Sequence, residues 1–465
     1  MEEHMNNKTK SICLLSLLCL FLSHTAFSEE EITVRLATED SKLIPIFIPP
    51  ISGENSDFPA SYLEDLRSVF TFDMNANGMT EVLREGSVAS ISPSEMQYGS
   101  TCDLAAWKGA EVYYLIKMKM DGKNLSAKII SINAGSSKLI DGIVVTGDLA
   151  SDRRIIHRLS DSIHLLLFQK PGIASHTILY SFRAAHPRVK EHDEQWVSEI
   201  YEADYDGANA RALTHENSYC ITPIWAKPAS QSAVGALLYT SYKIGQPKIY
   251  YASAKDGKSR RLATLRGNQL TPEVSADGTK IAFSCDAQGL ADIFIIPFHP
   301  TTGALGKPRQ VYTAKGTTSA SPSFSPDGAR IVFVANKDGS PKIYMLDIPK
   351  ESINPKDLHP ALISKRCREN SSPAWSPDGK KIAYAARQDG ARQIWIYDCE
   401  SGLERPLTDG SGDKENPKWA PNSLHLIFNS TDKNGKTELY LINLNQKKAV
   451  KITSGPGEKR FPYWK

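Results

Sequence analysis

Cysteine is scarce in this chain of 465 residues, which holds seven. Cys13 and Cys19 fall in the leader region, leaving Cys102, Cys220, Cys285, Cys367 and Cys399. None forms a C-x-x-C pair, so neither a zinc site nor a dithiol redox motif is indicated, and no metal is expected. Their odd number means a free thiol or a pairing with a partner, and small buried apolar residues is the reading adopted. An excess of one charge is also missing. The formal net charge is +3 and the Lys and Arg residues are scattered, which gives no case for nucleic acid binding. Only Ile12–Leu22 forms a long apolar run, too short to span a bilayer comfortably, so the mature chain is expected not to be membrane-spanning. No G-x-S-x-G nucleophile elbow occurs. His186, His192, His215, His299, His359 and His425 do not repeat in register, as a catalytic or metal-binding pore would require. No catalytic residue and no cofactor is expected.

What is present is a repeat. Ser372–Tyr384 reads SPAWSPDGKKIAY. Pro373 lacks an amide hydrogen and suits a strand start or edge. Trp375 supplies a large apolar plate, and Pro377, Asp378 and Gly379 make a tight turn. Ile382, Ala383 and Tyr384 begin a second strand, so the stretch is a β-hairpin. Copies read NQLTPEVSADGTKIAF from Asn268, SASPSFSPDGARIVF from Ser319, and ENPKWAPNSLHLIF from Glu415, where Asn422 and Ser423 replace Asp-Gly. A degenerate copy, ITPIW, begins at Ile221, its turn rebuilt by Lys227–Ala233. The marker prolines Pro223, Pro272, Pro322, Pro373, Pro417 and Pro462 stand roughly 44 to 51 residues apart, a propeller or solenoid period. Each hairpin is followed by a short β-rich run such as Gln393–Ile396 and then by one such as Arg405–Thr408, giving about four strands per period.

The first unit, from Ile178, lacks the proline opening. The chain end, Arg460-Phe461-Pro462-Tyr463-Trp464, is an opening with no hairpin after it. It is expected to complete the first blade beside Ile178–Phe182 and close a six-bladed ring, which removes two sheet edges.

Ahead of the ring, Lys8, Lys10, the apolar run, Ala26 and Ser28 form a secretory leader, cleaved after Ser28. Glu2 and Glu3 fit a leader poorly, and a start at Met5 fits better. Cys19 lacks the small neighbours of a lipoprotein signal, so the mature protein is expected in the periplasm. Residues 29–172 are expected to be an α/β domain, and 173–465 the all-β six-bladed propeller. In the first, Thr33–Leu36 alternates as a strand and Ile46–Ile48 is buried on both faces. Ala60–Phe70 is a helix, Val112–Met118 and Leu125–Ile132 flank an Asp121-Gly122 turn, and Asp152–Gln169 is a helix stopped by Pro171 and Gly172.

With its leader, its α/β domain ending in a long helix, its six-bladed ring of W-S-P-D-G-type hairpins and its closing Phe-Pro-x-Trp, the mature chain resembles the TolB family, periplasmic propeller proteins of the Tol-Pal envelope system. It departs from the pattern at Lys227–Ala233 and in a long charged stretch, Arg183–Gln195. The resemblance implies a non-enzymatic adaptor. It would bind the peptidoglycan-associated lipoprotein Pal at the ring mouth and TolA through its N-terminal segment, Glu29, Glu30, Glu31, Ile32, Thr33 and Val34. It would support outer-membrane integrity and envelope constriction during division, and toxins that mimic Pal would use the same mouth.

Propeller geometry puts the residues before each marker proline near the central opening. These are Thr222, Asn268, Thr271, Ala320, Ser321, Asn370, Ser372, Glu415, Asn416, Arg460 and Phe461, polar and small, as suits a wet peptide-recognition funnel. By resemblance, Asn268, Thr271, Ala320 and Ser321 align best with Pal-contacting positions. The plainer reading is that Asn and Ser here cap turns. Asp277, Asp327 and Asp378, with Ser275, Ser325 and Ser376, read as turn residues rather than catalytic groups. Trp225, Trp375, Trp419 and Trp464 read as wedges between blades. Two other functions remain open: a propeller-gated peptidase or other hydrolase or lyase, and a stand-alone peptide- or sugar-binding propeller.

Overall fold

The computed structural model describes residues 43–184, 197–226, 235–299, 303–446 and 448–465. The leader, the Glu29–Val34 segment, the Thr33–Leu36 strand and most of the two departures noted above lie outside these residues.

Residues 44–168 carry one sheet and three α-helices. The sheet runs in the order Thr80–Val82, Ile44–Phe47, Tyr114–Gly122, Asn124–Ser131 and Ser136–Val144, with Ser52–Ser56 also paired to Tyr114–Gly122. Ile44–Phe47 has parallel neighbours on both sides, and Ile46, Phe47 and Ile48 are at most 1% exposed. A continuous apolar run is what a strand covered on both faces requires. Helix α1 (Ala60–Ala76) runs six residues past the expected end, because Met74 and Ala76 continue the buried face. Helix α2 is Leu104–Gly109. Helix α3 (Leu149–Phe168) is capped by Asp148, whose carboxylate accepts the Ser151 amide at 3.1 Å. It ends at Gln169, left-handed at φ 54°, two residues before Pro171. In the 114–131 hairpin Asp121 pairs with Asn124, so the turn is Gly122-Lys123, not Asp121-Gly122. Gly122 takes the positive φ that the first central residue of a type II′ turn needs.

Residues 177–465 form six antiparallel sheets. Blade 2 begins at Cys220–Ala226, blade 3 at Gln269–Val274, blade 4 at Ser319–Phe324, blade 5 at Asn370–Trp375 and blade 6 at Asp413–Trp419. Blade 1 takes its innermost strand from the chain end: Glu458–Trp464 pairs with Thr177–Arg183, Arg460 opposite Ser181 and Trp464 opposite Ile178. The turn chemistry recurs in three blades. In blade 5 the Ser376 hydroxyl donates to Asp378 at 2.6 Å, and the Asp378 carboxylate accepts the Lys380 amide at 3.0 Å. The same Ser–Asp bond joins Ser275 to Asp277 and Ser325 to Asp327. Burial works against ionisation of Asp277, but hydrogen bonds from Ser275 and Thr279 hold its carboxyl down at about 2. These carboxylates are spent on their own turns.

The four wedge tryptophans are all buried. The Trp419 indole donates to Ala374 O of blade 5 at 3.1 Å, and Trp464 to Lys418 O of blade 6 at 3.2 Å. These two rivet their blades to the one before, whereas the Trp375 indole donates to Gly379 O of its own turn at 3.1 Å. The cysteines at 102, 220, 285, 367 and 399 are all free thiols, with Cys220, Cys285 and Cys367 buried.

Helix α1 and the ring share a core. Ala76 and Phe72 of α1 pack with Ile178, Tyr180, Tyr205, Ile427, Leu441 and Trp464. His425 of blade 6 is fully buried and meets Ala76 O at 2.7 Å. Asn445 and Gln446 bond Gly78 O and Asn75 O at 2.8 and 2.7 Å, closing off the helix end.

Candidate functional site: the mouth of the ring

The residue before each marker proline is left-handed. Thr222, Thr271, Ser321, Ser372, Asn416 and Phe461 have φ between 50° and 55°. None is glycine. At the same place every innermost strand slips register, for example between Leu270 and Glu273, where Thr271 and Pro272 have no ladder partner. The cause is local. Proline cannot donate to the ladder, so the strand bulges around it, and the preceding residue is turned inward. A left-handed non-glycine residue costs about 1–3 kcal/mol. The chain sustains that cost once in each blade.

These six residues and their prolines line a cavity of about 70 Å³ at the centre of the ring. Its polar groups are linked sideways. Ser372 Oγ donates to Asn416 Oδ1 at 2.9 Å, and Asn416 Nδ2 to Asn429 Oδ1 at 2.8 Å. The Ser321 amide donates to Thr271 Oγ1 at 3.2 Å. One position past the prolines, Lys418 of blade 6 and Glu273 of blade 3 reach across and pair at 2.8 Å. Blades 3 and 6 stand opposite each other in a ring of six, so the ion pair spans the channel. Lys418 Nζ also lies 5.3 Å from the centre of the Tyr463 ring. Burial, with the Glu273 charge next, pushes the Tyr463 hydroxyl well above the usual phenol range, so it stays protonated.

Of the eleven residues expected at the opening, Thr222, Thr271, Ser321, Ser372, Asn416 and Phe461 line this cavity, and five do not. Asn370 is 1% exposed and donates to Cys367 O at 2.9 Å, so it cannot present its side chain to a partner. Asn268 is bound to Asp286 through its side chain at 2.8 Å, capping a turn. Glu415 pairs with Arg392 at 3.3 Å and Arg460 with Glu458 at 3.1 Å. Ala320 stays in the ladder opposite Val334. Lys418 and Glu273 went unnoticed in sequence. Their signal was the repeat itself, since both occupy the position after a marker proline.

A second cleft, of about 1360 Å³, lies between α1, Thr80–Val82 and the residues Asn445, Gln446, Lys448 and Val450, and shares no lining residue with the mouth. Glu64, Arg67, Glu81 and Arg84 are among its walls. His215, His299 and His359 are exposed on separate loops and strands, and His425 is interior. No group of three or more His, Cys, Asp or Glu arranged for a metal occurs among the described residues. No helix among them is long and apolar enough to cross a membrane.

Residues 177–465 match the family model described as the TolB beta propeller domain. A protein named Protein TolB homolog from Protochlamydia amoebophila (strain UWE25) is 46% identical over 405 residues, covering 87% of this chain and 85% of that one. A homolog of the same name from Chlamydia trachomatis serovar L2 is 36% identical over 402 residues, covering 86% of this chain and 84% of its own. Among solved structures, TolB from Acinetobacter baumannii superposes with a TM-score of 0.70, covering 91% of this chain and 96% of that one at 20% identity. At that identity the superposition speaks for the fold.

Proposed function

This chain belongs to the TolB family, and from that premise we propose that it is a non-catalytic periplasmic adaptor of the Tol-Pal system. The mouth of the ring binds Pal, and the N-terminal segment Glu29–Val34 binds TolA. The observation that carries the reading is the collar of six left-handed, non-glycine residues around one recess. Backbone held in such a state tends to mark places where one surface shape is needed, and here it recurs in each blade at the same level. The collar presents hydroxyls, amides and proline rings, the chemistry of a surface that grips another protein's loop. The carboxylates and serines of the repeats are tied up in turns, which supports a role without catalysis.

The test is capture from an envelope extract by immobilised residues 29–465. Pal is expected in the eluate. Thr271→Arg places a bulky charge in the collar and is expected to reduce capture more than tenfold. Thr271→Asn, which tolerates the same backbone, is expected to keep it. Full capture by Thr271→Arg would move the site away from the mouth. No capture by the parent would point instead to a stand-alone binding propeller.

A further inference from the structure

A second polar cluster is buried where α1 and α3 meet blade 1. Its centre is His157 of α3, 1% exposed. On one side its Nδ1 lies 2.8 Å from the Asp73 carboxylate of α1, itself 2% exposed. On the other its Nε2 points at Asp206, in the turn after the Glu199–Asp204 strand, at 3.5 Å. Tyr205 of that turn lies edge-on to the imidazole, with ring centres 5.4 Å apart, and donates to Asp73 at 2.7 Å. Ser160 of α3 donates to Asp73 at 2.7 Å. Arg153 of α3 pairs with Asp206, and Arg154 with the neighbouring Asp204 at 2.9 Å.

The geometry distinguishes the two protonation states of this histidine. Burial pushes the Asp73 carboxyl up against its three donors, and with no other cation in contact only a charged His157 compensates the carboxylate in the interior. A neutral ring with its proton on Nδ1 would also aim an Nε2 lone pair at the Asp206 carboxylate. As an imidazolium the ring sends one N–H to each carboxylate, one on α1 and one on blade 1. His157 Nε2 makes no hydrogen bond, and the Asp206 carboxylate at 3.5 Å is the charged group it faces. We propose that His157 is a protonation-controlled pin between the α1–α3 helix pair and blade 1: charged, it bridges Asp73 and Asp206, and losing its proton on the alkaline side loosens that junction. Burial alone would lower the affinity of the ring for its proton. The Asp73 bond and the charges of Asp73 and Asp206 outweigh burial and the repulsion from Arg153, and raise it. A raised histidine contributes stability below its unfolded value, near 6.5, and loses it as pH rises through the folded value. His425, at the α1 side of the same junction, is already neutral above about 4.

The test uses the full chain with its histidines 13C-labelled, followed by NMR from pH 5.5 to 9.5. The His157 resonance, identified by its loss in His157→Gln, is expected to titrate above 6.5. Asp206→Asn is expected to bring that midpoint down. Amide exchange in α3 and in the turn at 204–209, corrected for intrinsic rates, is expected to quicken about tenfold between pH 6.5 and 9 in the parent and less than twofold in His157→Gln. A midpoint at or below 6.5, a midpoint unmoved by Asp206→Asn, or one common exchange profile for parent and variant would each overturn the proposal. The first two do not depend on how well His157→Gln folds.

Discussion

Thr222 and Thr271 are the mouth residues under most strain, because a β-branched side chain is poorly accommodated at positive φ. Their hydroxyls offset part of the cost, Thr222 Oγ1 meeting Thr240 Oγ1 at 3.0 Å and Thr271 Oγ1 meeting Ser284 Oγ at 3.1 Å. In blade 6, His425 shows burial dominating a titrating group, over the opposing bond to Ala76 O. Desolvation is its main cause, and its pKa falls to about 4. The unfolded chain therefore takes up a proton near 6.5 that the folded chain refuses until about 4, and stability drops as pH falls through that interval. At about 1.4 kcal/mol per unit, this amounts to a loss on the order of 2–3 kcal/mol between pH 7 and 4.5. Urea unfolding at the two pH values should show the loss in the parent and a shallower dependence in His425→Gln. In sequence His425 read only as one of several scattered histidines, because its contact at Ala76 is 349 residues away.

At the scale of elements, the hairpins were legible because turn chemistry is local. Gly379 holds φ at 77°, and in blade 6 Ser423 takes the same left-handed place at 57° without glycine's freedom. Gly379→Ala should cost about 1–2 kcal/mol from backbone alone, since a Cβ there meets nothing closer than Pro326 at 3.7 Å. Thermal unfolding of this variant measures that cost, and an unchanged transition would mean that the turn adopts another form. Ser136–Val144 was not anticipated as a strand. Its nine residues expose both faces, with Leu139 59% exposed, so the apolar alternation that reveals a half-buried strand is missing. Gly142 and the register slip near Ala127 dilute the pattern further. In α1 the boundary was underestimated because Phe72 and Ala76 meet the ring, a surface no periodicity within the helix discloses.

At the scale of the whole molecule, the ring is held shut by side chains as well as by the closing ladder. Trp464 is 5% exposed, packs among Ile178, Tyr180 and Ile427, and donates to blade 6. Trp464→Ala should cost about 3–5 kcal/mol, from lost burial and the cavity left behind. Urea unfolding measures it, and a cost below about 1 kcal/mol would mean that the closing strand contributes little to the fold.

The period, the turns, the tryptophan plates and the opening without a hairpin at the chain end were all set by the sequence, because each depends on residues within a few positions of one another. Which residues meet at the mouth was decided only by the tertiary structure. The same pre-proline neighbourhood sends Thr271 into the cavity and ties Asn268 to Asp286, since the bulge turns one residue inward and leaves its neighbours to their turns. Lys418 and Glu273 lie 145 residues apart and touch only because six blades close a circle. His157, Asp73 and Asp206 come together only because two helices settle on the first blade. Local backbone preference acts over a few residues, whereas charge pairing across a channel or a buried junction depends on distances that only the closed ring establishes.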